Sequence, residues 1–427
     1  MSLLYFKASK DFDFIQQAHE TVVKTDEFTK NLEEIYEYVY REGIAQKIVL
    51  QIHRSDYMCN VIDETAKKYS LKQIEINNIA SSSAPMSCAC TKLHRTILNR
   101  ITDLSNADIN HRLPDNDSIQ TVAGGVAAAW KAYGKLDAII LFVVENENQN
   151  ISDQRTVEYE VLKLTDQRAQ SIRIPLVKCF DLLHLNEADK KLSVADVHSS
   201  TSGREHREIA VVYFRSGYGP HNYDEGGKAW AARLTIERSM AIKCPWIGLH
   251  LAGTKKVQQV LAQPGLLQKF LPEDSEAAER IQNTFAGLWG LEAGTPETEE
   301  ILRKLNTNPE AFVLKPQLEG GGNNVYGQDI PNFLSKLTSA EKEAYILMER
   351  IFPLKNHGYL VRPNQSVILQ ETVSELGTYG YLLGDIKEDR VLENVCGGHL
   401  LRTKATQTNE GGIMAGASCL DSPDLQN

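Results

Sequence analysis

The sequence predicts a mixed α/β fold, with both α/β and α+β character, spread over two or three domains. Three observations lead there. Short apolar runs such as Ala138 to Val144, bounded by Asp137 and Glu145, have the length of buried strands and fall far short of a membrane span. Such runs alternate with helical stretches most regularly from Asp137 to about Ile242, the texture of a parallel α/β unit. A chain of 427 residues also exceeds what one simple core organises. A formal charge of −10 with no basic block argues against a nucleic-acid surface, because phosphate backbones demand clustered Lys and Arg.

Taken in order, residues 26 to 42 form the clearest helix. Phe28, Leu32, Ile35 and Val39 share a face, Thr25 is placed to cap it and Gly43 to stop it. Lys47 to Ile52 follows as a strand delivering His53-Arg54-Ser55-Asp56 at its end. A second strand, around Leu71 to Ile76, sets Glu75 and Asn77 on one face through its period of two. Two oxygen donors on one face suit a hard divalent cation, but an E-x-N pair is more often a solvated strand face. Arg155 to Leu164 reads as a helix, and Asp181 to His206 as a polar surface excursion. Ile209 to Phe214 reads as a buried strand ending at Arg215-Ser216-Gly217-Tyr218, where open α/β sheets hold ligands. An arginine that merely snorkels fits that position equally well. Thr254 is an N-cap for a helix opening on Lys255 and Lys256, which face either an anion or solvent.

The most informative stretch is K-P-Q-L-E-G-G-G-N-N-V-Y, from Lys315 to Tyr326. Phe312-Val313-Leu314 ends a strand, and Pro316 turns the chain into a loop. Gly320, Gly321 and Gly322 carry no Cβ, so their N–H groups can approach a bulky anion. A lid over a nucleotide triphosphate accounts for Lys315 and Glu319; an ordinary glycine turn does not. Ser339 caps a short helix, and Tyr345 to Ile351 is a strand apolar enough to line a purine pocket. Val367 to Gln370 leads into Glu371 to Glu375, and His399 to Lys404 precedes a second flexible element, Gly411 to Gly416. Two glycine loops beside lysines fit a site closed by lids. P-loop, Rossmann, zinc-protease and serine-hydrolase motifs are absent. The seven cysteines are scattered, none in C-x-x-C, so free thiols in a reducing compartment are expected and zinc is not. No signal-peptide pattern opens the chain at Met1-Ser2-Leu3-Leu4. Lys255, Lys315 and Lys404 to offset phosphate charge, with Glu75, Asn77 and Glu319 to hold Mg²⁺, suggest ATP-dependent ligation.

At this point the chain resembles the eukaryotic glutathione synthetases of the ATP-grasp superfamily. The matching blocks, in order, include R-S-D-Y-M at Arg54, I-E-I-N at Ile74, D-Q-R at Asp153 and V-V-Y-F-R at Val211. They continue with L-A-G-T-K-K-V-Q-Q at Leu251, the Lys315 stretch, S-E-L-G at Ser374, H-L-L-R-T-K at His399 and G-G-I-M-A-G at Gly411. The resemblance implies a circularly permuted ATP-grasp fold. Residues 1–136 and 244–427 would form the ATP-grasp domain, with glycine lids, and 137–243 an inserted α/β substrate domain. It implies ATP and Mg²⁺ as cofactors, γ-glutamylcysteine and glycine as substrates, a homodimer, no membrane or nucleic-acid partner, and a cytoplasmic location; secretion after loss of a leader stays open.

By position, Glu75, Asn77 and Glu319 would be metal ligands. Lys255, Lys315, Gly320, Gly321, Gly322, Asn324, Tyr326, Met348, Glu349, Ile351, Glu375 and Lys404 would surround ATP. Arg54, Ser82, Gln154, Arg215 and Tyr218 would hold the dipeptide, and Arg402 with Ile413 and Met414 the acceptor. Arg54, Arg402 and Lys404 would serve catalysis. The departures gather on the substrate side. N-I-A-S-S-S-A-P stands where T-I-S-A-S-F-G-G is usual, so Ala80 replaces a serine. Ser216 replaces an aspartate, His221 an arginine and Met414 a small residue, and a T-L-F-P-S segment at the start is missing. Two functions follow: a ligase with glycine or an altered acceptor, or a nucleotide-binding regulatory paralogue whose synthetase activity has lapsed.

Overall fold

The computed structural model describes residues 1–147, 150–195, 206–223, 226–320, 322–362, 364–409, 411–413 and 416–425. Its organising element is an antiparallel sheet that joins distant parts of the chain. The strand order is Cys419–Asp421, Arg390–Ala405, Leu369–Asp385, Ile48–Asp63 and Lys68–Asn77, with Lys355–Tyr359 paired to Leu369–Asp385. The strand expected to stop at Ile52 therefore runs eleven residues further. His53, Arg54, Ser55 and Asp56 read as a loop because they are polar, yet all four are buried in mid-strand. A ladder on both sides takes up their backbone groups, with Arg54 opposite Asn77 and Tyr379, and Asp56 opposite Glu75 and Gly377.

The helix Glu27–Glu42 forms where its periodicity puts it and buries Phe28, Leu32, Ile35 and Val39. Its cap is Asp26, not Thr25: the Asp26 carboxylate accepts the Thr29 N–H at 2.9 Å. A carboxylate at the positive end of a helix adds a charge–dipole term that a hydroxyl lacks. A similar one-residue shift occurs at Ser339–Lys342, which is capped by Thr338 in a reciprocal box with Glu341.

The segment from 137 to 244 builds a second sheet. Ser171–Pro175, Ile139–Val144, His206–Phe214 and Ile242–Cys244 lie parallel in that order. The polar excursion is more ordered than expected: Leu183–Leu185 and Leu192–Ala195 form a hairpin that extends this sheet, because Leu192 and Val194 supply buried apolar contacts. The helix Ser118–Tyr133 fills the gap between the two sheets with Val122, Ala123, Val126 and Trp130. Gly125 permits the approach, since a β-carbon there would stand 2.9 Å from the Tyr381 ring.

A third, small sheet orders Val325–Tyr326, Phe312–Lys315, Ile346–Glu349 and Leu288–Gly290 antiparallel around its own core of Leu314, Ile301, Leu305 and Leu347. All seven cysteines are free. No helix among the described residues is long and apolar enough to cross a membrane. The fold is thus mixed α/β with several sheets, as the sequence predicts.

Candidate active site

The three sheets meet around one cavity of about 930 Å³. The central sheet supplies its floor from adjacent strands, so side chains far apart in sequence share one face. Arg54 stands opposite Asn77, and Glu375 opposite Arg402. The small sheet supplies Lys315 and Met348, and the parallel sheet contributes Arg215 and Tyr218 just past a strand's carboxyl end. Every residue expected to bind metal, nucleotide or substrate lines this cavity, apart from Gly321 and Met414, which lie outside the described residues.

The lysines are buried and held by backbone carbonyls. Lys255 Nζ donates to Leu318 O at 2.6 Å, Lys315 Nζ to Ile74 O at 3.0 Å and Lys404 Nζ to Asn409 O at 2.5 Å. A carbonyl orients an ammonium without neutralising it, and Lys255 and Lys315 also act on the nearby Glu75 carboxylate. Lys255 owes its position to the helix Lys255–Leu261, whose cap Thr254 accepts the Val257 N–H as the sequence predicts. The same hydroxyl lies 2.8 Å from His19 Nε2, while His19 Nδ1 lies 2.9 Å from Ile15 O. Burial lowers the His19 pKa to about 4. The ring is therefore neutral, gives its one N–H to the carbonyl and accepts from Thr254.

Glu75 and Glu319 line the cavity beside these lysines. Glu75 lies 3.6 Å from Lys255 Nζ; withdrawal from water raises its pKa, but Lys255 and Lys315 outweigh that and hold it below the usual carboxylate range. Glu319 behaves oppositely. Withdrawal from water pushes its carboxyl up, Lys255 only partly offsets this, and the negative charge of Glu75 pushes it further. Two carboxylates that repel each other beside a carboxamide are a hard oxygen donor set that Mg²⁺ would relieve, so these residues fit the ion.

The loop after Lys315 shows why glycine is needed: Gly320 and Gly322 have φ of 84° and 93°, a region that disfavours side chains. Asn324 Nδ2 donates to the Tyr326 hydroxyl at 3.3 Å. Met348 and Ile351 form an apolar wall, and Glu349 accepts the Gly287 N–H at 3.0 Å. On the opposite side, Arg215 spends one nitrogen on Asp153 at 3.0 Å, while its buried Nε and Nη1 have no hydrogen-bond partner. Gln154 Oε1 accepts from Arg173 at 2.5 Å. Arg402 pairs with Glu375 and, at 3.1 Å, with Asp56. Ile413 closes the last edge.

The altered segment after Asn77 is pinned through its backbone. Ser82 O accepts from Tyr379 at 2.6 Å and from Arg54 at 3.3 Å, and the Ser83 N–H donates to Asp153 at 2.9 Å. Ala80 and Ser83 adopt φ of 52° and 74°, and Ala84 and Pro85, which stand where glycines are usual, open the helix Ala84–Ile101. His221, exposed at the rim, stacks edge-on against Tyr218 and lies 3.7 Å from Glu145. Ser216 is buried.

Sequence reasoning gave no role to two carboxylates, Glu145 and Asp56. Glu145 lines the cavity and accepts from Tyr218 at 2.8 Å and from Asn222 at 3.1 Å. Its signal was available, because it directly follows a parallel strand, where such sheets bind ligands. Asp56 shares a strand face with Arg54 by the period of two, but the early strand end hid it.

Comparison with known proteins places the chain in a family. The model for "Eukaryotic glutathione synthase, ATP binding domain" matches residues 1–425. Glutathione synthetase of Xenopus laevis is 39% identical over 98% of this chain and 84% of that protein. The Homo sapiens glutathione synthetase is 38% identical over 99% and 84%. The chloroplastic enzyme of Solanum lycopersicum is 39% identical over 97% and 71%. In fold, the chain is similar to a glutathione synthetase-like effector from Globodera pallida in its apo form, with a TM-score of 0.75 and 24% identity over 99% of this chain and 84% of that one. On the family match and these identities, the chain belongs to the eukaryotic glutathione synthetase family, whose members use ATP with Mg²⁺.

Proposed function

We propose that this protein is an ATP- and Mg²⁺-dependent ligase that joins γ-glutamylcysteine to glycine or a related acceptor through an acyl phosphate. The observation that carries this reading is the convergence on one cavity of Lys255, Lys315 and Lys404 with the oxygen donors Glu75, Asn77 and Glu319, beside Arg54, Arg215 and Arg402. Phosphoryl transfer asks a protein for positioning and charge stabilisation, and these residue types do both.

The dipeptide's C-terminal carboxylate attacks the γ-phosphorus and ADP leaves; the acceptor amine then attacks the acyl carbon and expels phosphate. Arg215, with its unspent donors, suits a substrate carboxylate, and the Glu145 carboxylate beside it suits an ammonium. Lys315 and Lys404 take up charge that develops on the transferred oxygens. Glu75, Asn77 and Glu319 would hold Mg²⁺, which would offset the negative charge of the phosphate oxygens. In this reading residues 137–243 are the substrate-binding insertion of a permuted ATP-grasp fold. The glycine loops close as lids that shield the acyl phosphate from water. The family resemblance also leads to a homodimer and a cytoplasmic setting.

The departures from the family pattern read in the sequence gather on the substrate side, at Ala80, Ser216, His221 and Met414. Because the turn around Ala80 is fixed by backbone bonds, losing the serine hydroxyl changes the chemistry of the wall without moving it. A lost hydrogen bond there costs about 1–3 kcal/mol of binding, enough to change the preferred acceptor and leave ATP use intact. The test is ADP release with γ-glutamylcysteine across a panel of acceptor amino acids and thiols, with product masses. Turnover is expected, and Ala80→Ser should raise the glycine-dependent rate. No ADP with any acceptor would sink the ligase reading in favour of a nucleotide-binding paralogue.

A further inference from the structure

Asp56 is not part of the cavity wall; its carboxylate lies behind it, 0% exposed, in the middle of the strand Ile48–Asp63. Arg54 reaches it through Nε to Oδ1 at 2.7 Å and Nη2 to Oδ2 at 2.8 Å, a two-pronged pair. Oδ2 also accepts Asn77 Nδ2 at 3.0 Å and Arg402 Nη2 at 3.1 Å. One carboxylate thus gathers side chains from three further positions, on its own strand, on Lys68–Asn77 and on Arg390–Ala405.

Two consequences follow from this geometry. A carboxylate only accepts, so the end of Asn77 that faces it is the amide nitrogen, and Oδ1 is turned away from Asp56. Without this anion Arg54 would keep its bond to Ser82 O and Arg402 its pair with Glu375, but each guanidinium would be held less firmly. The space for the carboxylate is itself provided. A β-carbon at Gly377, the residue opposite Asp56, would stand 2.6 Å from Oδ1 and 2.7 Å from Arg54 Cδ.

We infer that Asp56 is a positioning residue that couples the cation site to both substrate-side arginines, with Gly377 as its steric counterpart. The inference rests on the proposed function for the cation site at Asn77 and for the identity of the molecules those arginines hold. It accounts for the aspartate of R-S-D-Y-M and the glycine of S-E-L-G, neither of which lines the cavity.

Binding measurements test it without turnover. In Asp56→Asn, Mn²⁺ affinity with a non-hydrolysable ATP analogue, read by electron paramagnetic resonance, should fall about tenfold or more. Calorimetric affinity for γ-glutamylcysteine should fall with it, while analogue binding in EDTA stays at the wild-type value. Gly377→Ala keeps the charge but displaces the carboxylate, and should reproduce the paired loss. Wild-type Mn²⁺ affinity in a folded Asp56→Asn protein would overturn the inference. If Asp56→Asn does not fold, Gly377→Ala decides; wild-type binding in it, or failure of both to fold, reduces Asp56 to a structural ion pair. Absence of ligase turnover in the wild type would count against the proposed function and leave the Mn²⁺ comparison readable.

Discussion

Glu319 is the residue on which the charge of the cavity turns. Its carboxyl is pushed up by withdrawal from water, Lys255 offsets only part of this, and Glu75 pushes it further, so the cavity holds a carboxylate repulsion that is only partly compensated. Glu319→Gln removes that repulsion together with one of the proposed metal ligands. Metal-free protein should therefore melt at a higher temperature than wild type, while the Mg²⁺ concentration for half-maximal activity rises about ten- to a hundredfold. A variant with unchanged Mg²⁺ dependence would remove Glu319 from the cation site. At this scale Lys315 and Glu319 stand out in the sequence because an ordinary glycine turn does not need them, whereas Glu75 and Asn77 alone read as a solvated strand face and gain a role only through the family resemblance. What could not be read is which side chain faces which. Asp56 draws its meaning from Arg402, 346 positions away, and Glu145 from Asn222, and only the sheet pairings bring them together.

Elements were legible to the extent that local pattern governs them. The helix Glu27–Glu42 and the strand Ile139–Val144 follow from periodicity and apolar run length. The strand through Arg54 did not, since burying four polar residues in succession is feasible only with neighbours on both sides. The cap at Asp26 rather than Thr25 is a competition between adjacent residues that spacing does not resolve. Packing between elements gives the sharpest test. At Gly125 the helix Ser118–Tyr133 touches the Tyr381 ring so closely that any side chain must push the sheet away. Gly125→Val should destabilise the protein by about 1–3 kcal/mol through overpacking. Urea unfolding checks this, and an unchanged midpoint would show that the helix does not brace the two sheets.

The whole molecule joins its early and late strands in one sheet, so the site exists only when the entire fold does. Its buried imidazoles tie that fold to pH. His19 and His53 are lowered by burial to about 4 and about 3, and His250 is lowered well below the ordinary 6.5 for the same reason. Between 6.5 and these folded values the unfolded chain binds protons that the native protein does not, so stability falls as pH drops through that window. Each imidazole contributes about 1.4 kcal/mol per pH unit at most. Melting temperatures measured from pH 7 to pH 4.5 should decline steadily below 6.5; a flat profile would contradict the burial of neutral histidines.

The central claim is that this cavity activates a carboxylate by phosphorylation. It is tested most directly by labelling both C-terminal carboxylate oxygens of γ-glutamylcysteine with ¹⁸O and analysing the phosphate formed with an accepted amine. An acyl phosphate loses one of those oxygens when the amine displaces it, so each phosphate should carry one ¹⁸O for each ADP released. Phosphate free of the label, with ADP still formed, would mean that water rather than the carboxylate takes the phosphoryl group, and the account would be wrong.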